Sequence, residues 1–289
     1  MTDPTRLRTA LEQAAEYAAG IGPRDDEVLL LTGSSVLPFD TGGGDLDLVL
    51  ITPDQDRFAE FAARRHSERL TEQLANGYAM SYVDLDGNEA DVEVWPTDRV
   101  LGAARALDLG IRDVEAVEAD FTRVGGLDVK VGTDLFHALR CGVPVHGPDG
   151  LRELRAAVPW AAYQAFKRDC FLVNVRDATK GIPASLRADR PDEAYLKLCW
   201  AADSLVDGLI FHHGLSISRW KWRLRYLPLL DPWIGEWYRD VRFTARLDPA
   251  ELTEHVEVLR DVWKRFAGTD PIDADPIDAD PIDAHPSAA

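Results

Sequence analysis

Residues 31–51 read LTGSSVLPFDTGGGDLDLVLI, and no other stretch limits the fold as tightly. An apolar run over 27–32 (EVLLLT) stops at Gly33-Ser34, and after a gap of ten residues a second apolar run opens with Asp45-Leu46-Asp47. Along a strand, residues two apart share a face and neighbours face opposite ways. Asp45 and Asp47 are therefore expected on one face, with Leu46, Leu48 and Leu50 turned to the core. Two carboxylates held side by side repel unless a cation lies between them. A hard divalent ion such as Mg²⁺ suits oxygen ligands of this kind, and it also recruits phosphate oxygens. Gly33-Ser34, at a turn leaving a strand, offers backbone N–H groups and a hydroxyl, which hold phosphate without net positive charge.

A third carboxylate is expected from a neighbouring strand. SYVDL and ADVEVW flank Asp86-Gly87-Asn88 and read as a β-hairpin. Asp91 and Glu93 share one face of its second strand, while Val92 and Val94 face the core. Asp91 is the stronger choice because it lies at the start of the strand, and Glu93 is the second candidate. The plain alternative is a solvated strand edge, on which Asp and Leu also alternate.

The rest of the chain divides by pattern. Residues 4–20 carry Leu7, Leu11, Ala14, Ala15 and Ala18 on one helical stripe, broken by Gly22-Pro23. A polar-faced helix is expected over 57–76, ended by Asn76-Gly77. A helix near 133–141 leads to a short strand in GVPVHG. After about residue 150 strand signals stop, and helices are expected over 150–178, 191–213, 217–229, 233–246 and 250–267. The expected domains are thus a mixed sheet with flanking helices over 1–148 and a helical bundle over 149–267, an α+β protein. Residues 268–289, with three PIDA units and six Asp, carry a Pro in every repeat and little apolar surface. They are expected to form a disordered tail.

Charge narrows the partners. Lys and Arg total 32 against 50 Asp and Glu, a formal charge of −18, which argues against nucleic acid or an anionic membrane as partner. No apolar run has the length of a membrane span, and a cytoplasmic location is expected. Cys141, Cys170 and Cys199 are widely spaced without a CxxC pair, and read as free thiols. The concentrated basic run is Arg219, Lys221, Arg223 and Arg225, interleaved with Trp220, Trp222 and Tyr226. It is either a solvated helix face or a source of counter-charge for a polyphosphate. Lys221 is the candidate phosphate contact, with Lys197 second.

Gly-Ser, a ten-residue gap, Asp-x-Asp between apolar residues and a later strand carboxylate resemble the nucleotidyltransferase superfamily. Within it the chain is similar to the small-molecule enzymes of the kanamycin, lincosamide and aminoglycoside kind. LKLCWAADSLVDGLIFHHGLSISRWKWRLRYL also resembles their C-terminal helices. One departure is Gly44, where that family often has Ser before the first Asp. The resemblance implies Asp45 and Asp47 as Mg²⁺ ligands and Gly33 and Ser34 as phosphate contacts. It implies Asp91 or Glu93 as third ligand or general base. The implied activity is transfer of a nucleoside monophosphate, AMP from ATP or another NTP, to a small-molecule acceptor. The alternatives are nucleotidylation of a protein or tRNA end, and an inactive member that binds or regulates.

Overall fold

The computed structural model describes residues 4–37, 46–63, 76–85, 88–108, 123–243 and 247–267. Asp45, the glycines at 42–44, the expected helix beyond 63, the hairpin turn at 86–87 and the tail at 268–289 lie outside the described residues.

Helix α1 (Pro4–Ile21) buries Leu7, Ala10, Ala14, Tyr17 and Ile21, spaced three or four apart. It stops at Gly22, whose φ of +62° turns the chain. Strand β1 (Val28–Leu31) is buried at all four positions, the mark of a strand covered on both faces. β5 (Arg123–Val124) and β6 (Leu127–Asp128) pair only with each other. The other strands, β2 (Leu46–Thr52), β3 (Ala79–Leu85), β4 (Asn88–Pro96) and β7 (Val143–His146), join β1 in a five-stranded sheet ordered β3-β4-β2-β1-β7. β2 runs parallel to β4, and the other pairs are antiparallel, so the sheet is mixed.

The parallel pair positions the acidic residues. One face of it carries Leu46, Leu48 and Leu50 beside Ala90, Val92 and Val94, packed in one core with α1 and with Phe61 of α2 (Gln55–Ala63). Arg57 of α2 pairs with buried Glu27 at 3.5 Å and donates to Ile21 O at 2.6 Å, which ties α2 to the turn between α1 and β1. On other sides of the sheet, α3 (Thr97–Asp108) packs on β4, and α5 (Pro148–Ala157) packs on β1 and β7.

The described residues form two units, one up to 108 with 123–159, the other from 160 onward. α5 belongs with the first. Its Leu151 and Leu154 are buried, and Arg155 donates to the carbonyls of Leu139, Arg140 and Gly142 at the end of α4 (Val129–Cys141). The helix expected over 150–178 is therefore two. Pro159 has no N–H to give and disfavours helical backbone at Val158, so α5 ends and α6 (Trp160–Arg187) begins anew. In the second unit α6 packs along α7 (Pro191–His212), α9 (Pro249–Ala267) lies against both, and α8 (Pro232–Phe243) lies against α7. The expected helix over 217–229 is instead two single 3-10 turns, Trp220–Trp222 and Leu227–Leu229, around the four helical residues Arg223–Tyr226.

Candidate active site

The site is built from one end of β1 and the starts of β2 and β4. β1 pairs with β2 as far as Leu31 opposite Leu48, and Thr32 N–H continues the ladder to Asp47 O at 2.8 Å. The chain then turns through a 3-10 turn, Gly33–Ser35. Gly33 has φ +68°, and a Cβ built there would lie 1.8 Å from Asp47 Oδ2 and 2.6 Å from Asp47 Cγ. Two independent constraints thus require glycine. The backbone is left-handed, and the Asp47 carboxylate lies directly over the α-carbon. Ser34 is half-buried beside it, and Ser35 is buried.

The parallel register sets which acids meet. Asp47 is the partner of Asp91, and Val49 is the partner of Glu93. Partners in register share a face, so Asp47 and Asp91 lie side by side at the strand spacing of about 5 Å. Both are half-buried, between buried neighbours on the opposite face. At an effective dielectric near 20, two carboxylates that close repel by roughly 3 kcal/mol, a penalty that a bound divalent cation reverses. Glu93 is one repeat further along the strand, about 7 Å from Asp91. Its Oε2 accepts a hydrogen bond from Trp95 Nε1 at 3.3 Å. Val49 beside it and Ile51 and Trp95 beyond it are buried, so this face passes from acidic to apolar within three strand steps.

Among the described residues no group of three His, Cys, Asp or Glu is placed to hold a metal ion. Asp47 and Asp91 supply two hard oxygen donors. Asp45, two residues before Asp47 on the chain, lies outside the described residues. The donor chemistry fits Mg²⁺, which takes a few carboxylates and fills its remaining positions with water and phosphate oxygens.

The two lysines expected at phosphate belong to the second unit. Lys197 Nζ donates to Ser185 Oγ at 2.7 Å, bridging α7 to α6, and Lys221 is exposed on the 3-10 turn Trp220–Trp222. The basic run around Lys221 is not one surface. Arg223 turns inward, donating to both oxygens of Asp207 at 2.6 and 2.7 Å and lying 3.0 Å from Asp203. Tyr238 OH donates to Asp203 at 2.8 Å. Burial and that bond push the Tyr238 hydroxyl well above the usual range for tyrosine. Sequence reasoning missed this cluster, although Asp203 and Asp207, four apart on one helix face, were the available signal.

Two of the histidines are accounted for locally. His137 is buried in α4 with Nδ1 3.9 Å from Cys141 Sγ, and His212 closes α7 ahead of Gly214, φ +72°. Among the described residues no helix is long and apolar enough to cross a membrane.

No protein-family model and no curated protein matches the chain. Among solved structures, the chain is similar to a nucleotidyltransferase-like protein from Exiguobacterium sibiricum, at 13% identity with a TM-score of 0.47. The likeness covers 88% of this chain and 75% of that one.

Proposed function

We propose that the protein is a Mg²⁺-dependent nucleotidyltransferase that moves AMP from ATP onto a small-molecule acceptor. The observation that carries this reading is the pairing of Asp47 with Asp91 across parallel strands, above a glycine turn that no other residue fits. Like charges held together at a partly open strand end destabilise a fold, and such arrangements mark functional sites.

In this reading Asp45, Asp47 and Asp91 would hold the ion, which when bound would supply counter-charge to the phosphates and acidity to the acceptor hydroxyl. The backbone N–H groups at Gly33 and Ser34 meet the phosphates. The acceptor oxygen attacks the α-phosphorus, the bond to the pyrophosphate oxygen breaks, and pyrophosphate leaves. The acceptor's proton passes to a carboxylate of the site, and the acidic protein favours a cationic acceptor such as an amine-bearing sugar.

The test pairs binding with chemistry. Mg²⁺ and ATP together are expected to raise the melting temperature more than either alone. Labelled NTPs offered to pooled small-molecule acceptors, a protein pool and tRNA then identify the acceptor class. Absence of pyrophosphate release with every pool, together with absence of Mg²⁺-dependent nucleotide binding, would sink the reading. Binding without release in any pool would leave an inactive binder.

The register makes a second prediction. Asp91→Asn is expected to weaken Mg²⁺-ATP binding by at least about tenfold and to remove turnover, whereas Glu93→Gln leaves that binding within about twofold. Isothermal titration of both variants with Mg²⁺-ATP checks it. Loss of binding in Glu93→Gln alone would reassign the third ligand.

A further inference from the structure

Glu93 is the carboxylate that the Asp47–Asp91 pair leaves over. It shares their face but stands level with Val49, where that face has become apolar. A carboxylate at such a place is destabilising unless its orientation and hydrogen bonds are fixed.

The fixing group is two residues along the same strand. Trp95 Nε1 donates to Glu93 Oε2 at 3.3 Å, and Trp95 is 1% exposed. A buried indole N–H needs an acceptor, so turning Glu93 away would orphan the donor. The indole plane is fixed in turn by Tyr78, which stacks on it with centroids 4.8 Å apart and 10° between the planes. Tyr78 follows Gly77, φ +79°, where a Cβ would lie 3.0 Å from Arg99 Nε. That same nitrogen donates to Asn76 O at 3.1 Å. A continuous series of contacts therefore runs from Arg99 on α3, through the 76–78 turn and two stacked rings, to one oxygen of Glu93.

We propose that Trp95 is a positioning residue whose N–H holds Glu93 as the acceptor-side carboxylate of the site, outside the ligand set of the ion. The role given to Glu93 rests on the nucleotidyltransferase reading, while the hold of Trp95 on Glu93 does not. With Oε2 pinned to the indole, the carboxylate plane is set relative to Asp91, and the acceptor meets an acid at a constant depth. Trp95 touches neither nucleotide nor acceptor in this scheme and acts only through Glu93.

Two measurements on the full-length protein test it. In the first, the indole nitrogens are ¹⁵N-labelled and the Trp95 signal is assigned by its loss in Trp95→Phe. Glu93→Gln keeps an acceptor oxygen and leaves the signal near its wild-type position. Glu93→Ala removes the acceptor and moves the signal to that of an indole without a partner. An unmoved signal in Glu93→Ala would overturn the proposal.

In the second, pyrophosphate release from Mg²⁺-ATP is followed with pooled hydroxyl- and amine-bearing acceptors. Trp95→Phe is expected to lower the rate by about a hundredfold, the scale of a misplaced reacting group, with ATP affinity changed less than about twofold. In a Glu93→Gln background the same replacement has no further effect, because the two act as one unit. An equal loss in both backgrounds makes Trp95 merely structural and refutes the proposal. If Trp95→Phe does not fold, Tyr78→Leu, which frees the indole plane, takes its place in the cycle. Wild-type protein that releases no pyrophosphate defeats the nucleotidyltransferase reading, and the indole signal still decides the contact.

Discussion

Asp47→Asn is expected to abolish metal-dependent transfer, by at least about a thousandfold or some 4 kcal/mol of barrier, while the protein melts no lower than wild type. The two halves of this result have one cause. Asp47 lies beside Asp91 in the parallel ladder, and neutralising it removes a repulsion together with an ion ligand. The amide is nearly isosteric with the carboxylate, so the contact over Gly33 survives. Melting curves with and without Mg²⁺ separate the effects: the ion stabilises wild type and leaves the variant unmoved. Gly33→Ala supplies the contrast. Its methyl group would occupy the place of Asp47 Oδ2, and its φ of +68° costs a non-glycine residue about 1–2 kcal/mol. Activity and melting temperature are expected to fall together there. Wild-type turnover in Asp47→Asn would remove the basis for the metal assignment.

The difference between those variants shows which parts of the site were legible in the sequence. Alternation alone assigned Leu46, Leu48 and Leu50 to the core and Asp47 to the opposite face, because a period of two leaves no other choice once one face is buried. The hairpin partner strand was legible for the same reason. Which of Asp91 and Glu93 stands level with Asp47 was not. Register between two strands joined by some thirty-five residues depends on how the whole sheet closes, and no local pattern encodes it.

The small hairpin of β5 with β6 failed differently. Its signal, Gly125-Gly126 with both φ values positive, is a strong turn signature, but the strands are two residues long and show no alternation. The inward turn of Arg223 was hidden by composition. A run of WKWRLRY reads as a basic aromatic surface until the acids on the facing helix are placed against it.

That inward arginine carries the other large effect. Arg223→Met is expected to destabilise the folded protein by about 3–5 kcal/mol, because it leaves Asp207 buried without the guanidinium that satisfies both its oxygens. A fall in melting temperature of roughly 10 °C or more corresponds to that loss. Arg223→Lys keeps the charge but loses the fork that bonds two oxygens at once, so it is expected to fall between wild type and Met.

The pH dependence fixes the cause. Burial already pushes the Asp207 carboxyl upward, and Arg223 opposes that push. Without Arg223 the folded-state pKa rises further above the unfolded value of about 3.9. A group raised in this way favours the folded state below its unfolded pKa, and that contribution is lost as pH rises through the folded value. The deficit of Arg223→Met relative to wild type is therefore smallest near pH 4 and grows toward neutrality. Adding Asp207→Asn to Arg223→Met removes the buried charge and is expected to restore part of the stability at pH 7 and to flatten the pH dependence. A deficit equal at pH 4 and pH 7, unrelieved by Asp207→Asn, would mean that Arg223 stabilises the bundle through packing of its stem alone.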